Sequence, residues 1–328
     1  MSEKRFPGCF KFGCFGCLAL FALAVGLLVL IGVVQATMED QEPDPEQSQA
    51  SHPLPPPPVR PPQPDQVEMP EIAPLPPGVE APPAAAAGTV VLDLRMGEFT
   101  IRPGPPGEPI RIEADYDANV FNLTESFNES EDGTWTYDVS FGARGGWLGL
   151  LFRGGGGSNR NQVDVIIPRG HPVSIVGKIG MGESEIDLGG LWVENVDLEM
   201  SAGDHFLEFR EPTPVPMEDF RLDGSMGNLE VRGLGEASPR TVTVDHGMGE
   251  LLVDLAGPWR RDATVDVGFS MGECRLWLPK TARVEISRAS VGMGEKYVDH
   301  HDESGLPADA PLLTLNVRGS MGELRVEN

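Results

Sequence analysis

Cysteine is scarce in this chain: Cys9, Cys14, Cys17 and Cys274 are the only four in 328 residues. Three lie before or at the start of an apolar run and one stands alone far downstream, which excludes a disulfide framework for the large domain. Lysine is nearly missing from the repeats described below (Lys178, Lys280 and Lys296). The clustered Asp, Lys and Arg that a glycan-cleaving β-helix enzyme needs for acid/base work therefore do not recur. Nothing matches a nucleophilic triad, a P-loop or a dinucleotide fingerprint. Helical periodicity is absent throughout.

Positive charge is also short. Lys and Arg number 25 against 50 Asp and Glu, a net charge of −25. Residues 1–38 are net +2, residues 39–88 are −8, and −19 remains for 89–328. A domain this acidic repels nucleic acid and anionic headgroups. Basic proteins, divalent cations and neutral glycans remain as partners, so the expectation is no nucleic acid.

What is present divides the chain. Residues 15–34 carry no charge and form an Ala/Leu/Val/Phe run interrupted only by Gly and one Cys. Twenty residues at about 1.5 Å each span roughly 30 Å, the thickness of a bilayer core. Lys4, Arg5 and Lys11 precede the run and Glu39, Asp40, Glu42, Asp44 and Glu46 follow it. That asymmetry places the N-terminal segment, 1–14, in the cytoplasm and everything after 34 outside it. A cleaved signal peptide is the competing reading, with Val34-Gln35-Ala36 as its cleavage context. Cys9, Cys14 and Cys17 are candidates for acylation or for a soft metal, against the plainer reading of inert thiols.

Residues 39–88 hold 16 of the 31 prolines, including Pro55 to Pro58, and almost no aromatic residue. Such a segment cannot bury enough apolar surface to fold and favours extended polyproline II. It reads as a disordered, acidic linker that either lifts the following domain from the bilayer or merely connects it.

The remaining residues, 89–328, are organised by a tripeptide. Met-Gly-Glu occurs at Met96, Met181, Met248, Met271, Met293 and Met321, Met226-Gly227-Asn228 is a variant, and Ala202-Gly203-Asp204 is degenerate. From Met181 the intervals are 21, 24, 22, 23, 22 and 28 residues. A period near 22 signals a repeat protein. Stepping back by two from Met271 gives Phe269, Val267 and Val265; stepping forward, the apolar phase shifts, to Cys274 and Leu276. The same holds around Ala202 (Met200, Leu198, Val196), Met248 (Leu251, Val253) and Met321 (Leu324, Val326). Alternation with period two, broken at a glycine, predicts strand, corner, strand. Each repeat is too small to bury its own apolar face, and stacking at about 4.8 Å completes the core. The expected fold is therefore all-β, a single-stack β-solenoid of about seven rungs. Residues 104–162 form a β-rich insertion with hairpin-like pieces over 110–120 and 134–141.

This alternation with a Gly-acid corner resembles the bacterial adhesin-like and toast-rack β-solenoid domains, a group related to the C-terminal domain of membrane proteins in cell-wall-stress signalling. The resemblance covers 163–328, or 89–328 at its widest. It implies an envelope location and a non-enzymatic adhesion, scaffolding or sensing role, and it carries no active site or cofactor with it. This chain has a single apolar span, where the stress-signalling members have several. A glycan-acting β-helix enzyme and a self-polymerising envelope scaffold are the alternatives.

Candidate sites follow from the repeat. Glu183, Asp204, Glu250, Glu273, Glu295 and Glu323 occupy equivalent corners, with Asn228 interrupting. Stacked in register, their carboxylates repel unless a divalent cation or a basic partner sits among them; the plain reading is a solvated corner. The methionine column reads as core filling, against soft-metal binding. His300-His301 stands beside acids in the longest interval and reads as a surface loop or a metal pair, while His205 falls at an inward position as a core histidine. Trp147, Leu148, Leu150, Leu151 and Phe152 form an apolar tip too greasy for a free loop, which either caps an end of the stack or meets a partner. With no helix after Leu324-Arg325-Val326, the C-terminal end is expected to stay open or to pair with another copy.

Overall fold

The computed structural model describes residues 87–144, 161–299, 301, 303 and 305–328. Among them, regular structure is β apart from one turn of helix, α1 (Leu234–Ala237). The strands are β1 (Gly88–Gly104), β2 (Arg111–Asp115), β3 (Phe121–Glu129), β4 (Trp135–Ala143), β5 (Gln162–Pro168) and β6 (Pro172–Asp187). They continue with β7 (Trp192–Glu208), β8 (Asp219–Arg232), β9 (Thr241–Asp254), β10 (Ala263–Trp277), β11 (Arg283–Val298) and β12 (Leu312–Glu327). All twelve belong to one sheet, ordered β11-β12-β10-β9-β8-β7-β6-β1-β4-β3, with β5 beside β1 and β2 beside β5.

The sequence period is visible as register. In β10, Met271, Gly272 and Glu273 face Met248, Gly249 and Glu250 of β9 on one side and Met321, Gly322 and Glu323 of β12 on the other, all parallel. Each long strand crosses the tripeptide without a break, and its central glycine bends it: Gly272 has φ 130° and Gly203 φ 153°. Space is as decisive as φ. A Cβ on Gly272 would lie 1.9 Å from the carbonyl oxygen of Gly249, and one on Gly322 would lie 1.8 Å from that of Gly272. Only glycine fits where each bend nests on the next.

Inward residues on both sides of the bend build one core. Val265, Val267 and Phe269 before it and Cys274 and Leu276 after it are buried, and so are their counterparts in β9 and, apart from Gly319, in β12. Burying one such aliphatic side chain contributes roughly 1.5–3 kcal/mol. Repetition across eight bent strands makes this row the dominant stabilising term.

The structure corrects three expectations. First, the last strand is not the edge: β12 inserts between β10 and β11. The burial explains why. Leu313, Leu315, Val317, Leu324 and Val326 of β12 are at most 1% exposed, so this strand takes the site with neighbours on both sides. β11 offers Arg288 and Lys296 among its apolar residues and takes the edge. Second, the insertion does more than form hairpins. β4 lies parallel to Gly88–Leu94 of β1 and β5 parallel to Glu98–Gly104, so the two together trace the path of one bent strand. β3 then runs antiparallel to β4 and β2 antiparallel to β5. The hairpin is thus β3–β4, and the reversed pair β2 and β3 covers that end of the sheet. Third, six of the seven methionines of the tripeptide point outward, and Met96 is partly buried against the core. Met181, Met226, Met248, Met271, Met293 and Met321 are 41–64% exposed. The phase shift consumes four residues, Ser270 to Glu273 in β10, between the inward Phe269 and Cys274, so Met sits on the outside of the bend.

No helix among the described residues is long and apolar enough to cross a membrane. The apolar run 15–34, the linker up to residue 86, the tip 147–152 and Cys9, Cys14 and Cys17 lie outside the described residues.

Candidate functional site

Two parallel rows run across the sheet at the bend. The carboxylate row is Glu98, Glu183, Asp204, Asn228, Glu250, Glu273, Glu323 and Glu295, each facing the next in register. The expected residues are therefore brought together, Glu98 joins them, and Glu323 precedes Glu295 because of the strand order. Two residues upstream runs the methionine row.

The carboxylates find protein partners more than each other. Arg275 Nη2 donates to Glu273 Oε1 at 2.6 Å, and Arg325 Nε donates to Glu323 Oε1 at 2.5 Å. Tyr297 donates to Glu295, and Asn228 Nδ2 donates to Asp204 Oδ1 at 2.7 Å. Gln162 Nε2 donates to Glu98 Oε2 at 2.5 Å. In β10 and β12 the arginine stands two residues after the glutamate on its own strand, and in β11 Tyr297 takes that place. Their bond to the carboxylate raises the Arg275 and Arg325 pKa values further above the ordinary range. Among the described residues no group of three or more His, Cys, Asp or Glu is placed to hold a metal ion.

A groove of about 960 Å³ is lined by β2, the start of β5 and the second halves of β1, β6 and β7. Its lining includes the carboxylates Glu98, Glu113, Asp115, Asp164, Glu183 and Asp204, together with Phe206 and Arg111. Sequence reading missed this groove because nothing in the repeat reveals that 111–115 lines it.

The histidines resolve into three situations. His205 is buried, its Nδ1 2.9 Å from Ser184 Oγ, and its Nε2 has no partner among the described residues. His246, which the repeat did not single out, is buried on the next-but-one strand; its Nε2–H donates to Gly227 O at 3.1 Å and its Nδ1 has no hydrogen-bond partner among the described residues. The ring fills space that Gly224 leaves open, since a Cβ there would lie 2.5 Å from His246 Nδ1. Burial lowers the pKa of both. His301 sits with Nε2 3.0 Å from Ala282 O and Nδ1 3.1 Å from Asn328 Oδ1, so both ring nitrogens are engaged; His300 lies outside the described residues. Cys274 is fully buried and its thiol is pushed up to about 12 by burial, which leaves it inert.

No protein-family model matches the chain, and no curated protein matches it. Among solved structures, a putative cell adhesion protein from Clostridium sporogenes is similar at a TM-score of 0.39 and 13% identity, covering 74% of this chain and 93% of that one. A likeness at that level carries no argument about function. The adhesin-like and toast-rack family expected from the repeat has no matching family model here.

Proposed function

We propose that the chain is a single-pass membrane protein whose strands form a β-solenoid, displayed outside the cytoplasm on the proline-rich linker, and that it works as a non-enzymatic adhesion, scaffolding or envelope-sensing module. The observation that carries this reading is the pair of rows at the bend. The same two side chains, Met and Glu, are presented outward in register over β9, β10, β12 and β11, which suits an extended contact with a repetitive or elongated partner. The charge balance around 15–34 supports the anchor and its orientation. An envelope protein or a glycan is the proposed partner, and the apolar tip 147–152 and the carboxylates Glu183, Asp204, Glu250, Glu273, Glu295 and Glu323 are the proposed contacts.

Two measurements test this. A membrane-impermeant maleimide applied to intact cells is expected to label Asp309→Cys but not Cys9; labelling of Cys9 alone rejects the topology. Pull-down from native envelopes with the anchored full chain is then compared with a variant carrying Gln at the five glutamates and Asn at Asp204. Equal capture by both removes the bend from the binding role.

A glycan-acting β-helix enzyme is the second reading, and the carboxylate-lined groove beside β2 is the observation in its favour. Release of reducing ends from envelope glycan that Asp164→Asn abolishes would establish it.

A further inference from the structure

Five consecutive strands of the sheet, β8, β9, β10, β12 and β11, carry Met226, Met248, Met271, Met321 and Met293 in direct register. These side chains are 52, 44, 44, 41 and 64% exposed. Neighbouring strands lie about 4.8 Å apart, so five thioethers form a row at that spacing on the outside of the bend. The row stops at Ala202, which faces Met226 from β7.

Core packing does not account for it. The inward positions of these strands are filled by other residues, among them Phe269, Leu251, Cys274 and Leu324. Any polar residue would serve as well on the outside, as the neighbouring Ser225, Ser270 and Ser320 do. What the row offers is a line of soft, neutral sulfur donors. Such donors suit copper(I) and bind calcium or magnesium poorly. A metal–sulfur bond of about 2.3 Å, the length found for zinc and thiolate, puts two sulfurs on opposite sides of one ion about 4.6 Å apart, close to the strand spacing. Three rotatable bonds per methionine allow the remaining adjustment.

Charge acts in the same direction. The carboxylate row stands two residues away, and the whole chain carries −25, so a cation is drawn to this face. The hard oxygens do not compete strongly for it, because Arg275 and Arg325 already hold Glu273 and Glu323 and Tyr297 holds Glu295.

We propose that the methionine row from Met226 to Met293 binds a soft monovalent cation of the copper(I) and silver(I) class, each ion bridged by the thioethers of adjacent strands. The ion stays monovalent throughout, and no electron transfer is involved.

The test uses the full chain in detergent micelles, with Cys9, Cys14 and Cys17 replaced by serine so that thiolates do not capture the probe. Silver nitrate is titrated in chloride-free buffer while the methionine ε-methyl resonances are followed by NMR. The row methyls are expected to shift at near-stoichiometric silver, with the buried Met200 and Met217 and the N-terminal Met38 and Met69 unmoved, and with no shift from calcium. The triple variant Met248→Leu, Met271→Leu, Met321→Leu is expected to bind silver at least tenfold more weakly. Leucine is close to methionine in volume, so the fold is expected to survive, and circular dichroism checks that. Row methyls that stay still in excess silver, twelve methionines moving together, or a triple variant with unchanged affinity would each overturn the proposal.

Discussion

The two ends of the sheet are finished in opposite ways. At one end β2 and β3 run against the grain of the array and cover β5 and β4. Beneath them Phe99, Tyr116 and Phe121 gather around Phe141, with ring centroids 6.1, 5.3 and 5.4 Å from it. At the other end β11 has, among the described residues, a neighbouring strand on one side only. Its inward residues Val284, Ile286, Ala289 and Val291 are half-buried, and its register slips by one residue between Ile286 and Arg288. Lys296 stands where the neighbouring strand has Leu324, and its amine donates to Ala289 O at 3.1 Å. A bulge and a charge at a core position are means by which an exposed edge avoids pairing with another chain. One end is covered and the other is guarded. A repeat array therefore need not carry a capping helix to have a defined length.

The largest expected effect separates the interior from the guarded end. Gly272→Ala forces a Cβ to within 1.9 Å of Gly249 O at a φ that L-residues avoid, and β10 is held on both sides. A loss of about 3 kcal/mol or more is expected in urea titration followed by circular dichroism. Gly294→Ala meets Gly322 O just as closely, but β11 can yield toward solvent, so its cost is expected to be less than half as large. Equal costs would show that β11 is held as firmly as β10.

Phe141→Ala then compares the ends directly. Removing a fully buried ring at the covered end costs about 3–5 kcal/mol, whereas Val291→Ala at the guarded end, a smaller and half-exposed deletion, is expected to cost about 1 kcal/mol.

Lys296→Leu changes assembly rather than stability. The full chain in micelles is expected to be monomeric by light scattering at low and high salt, and the variant is expected to associate as concentration rises, with Lys296→Glu remaining monomeric. Association of the unaltered chain would instead support a self-polymerising scaffold.

The smallest effect is on pH dependence, and it falls in the middle of the sheet. His205 and His246 have folded pKa values below the ordinary 6.5, so the unfolded chain takes up protons first as pH falls. Stability is complete above about pH 6.5 and declines below it, until the depressed folded values are passed. Glu218, lowered from the ordinary 4.5 by its bonds to Arg240 and Arg261, adds its own loss once the pH falls below that ordinary value. Replacing both histidines with leucine is expected to flatten the melting temperature between pH 7 and 5.5; an unchanged slope would assign the decline to other groups.

Much of this was legible in the residues. Alternation fixed the inward faces of the bent strands, and the shared tripeptide fixed their register, because a one-residue slip would turn every Val and Leu outward. The acid row followed from that register. The position of β12 was harder to read: connectivity puts 321 after 293, and only the richer apolar face of 312–327 argues for an inner place. The methionines misled because the chemical expectation for Met is burial, whereas the bend spans four residues and leaves Met outside it. His246 escaped notice because its place depends on Gly224 of the adjacent strand. The groove depends on a fold-back with no periodic signature at all.

Strand order at the guarded end tests the in-register ladder most directly. In a chain with Cys9, Cys14 and Cys17 replaced by serine, one variant carries Met271→Cys with Met321→Cys and another carries Met271→Cys with Met293→Cys. Adjacent strands put paired Cα atoms within disulfide reach, and strands two apart lie at about 9.6 Å, beyond it. Mild oxidation is expected to close the 271–321 bond and leave 271–293 open. Closure of 271–293 in place of 271–321 would mean that the strands follow chain order, and the ladder described for this end would be wrong.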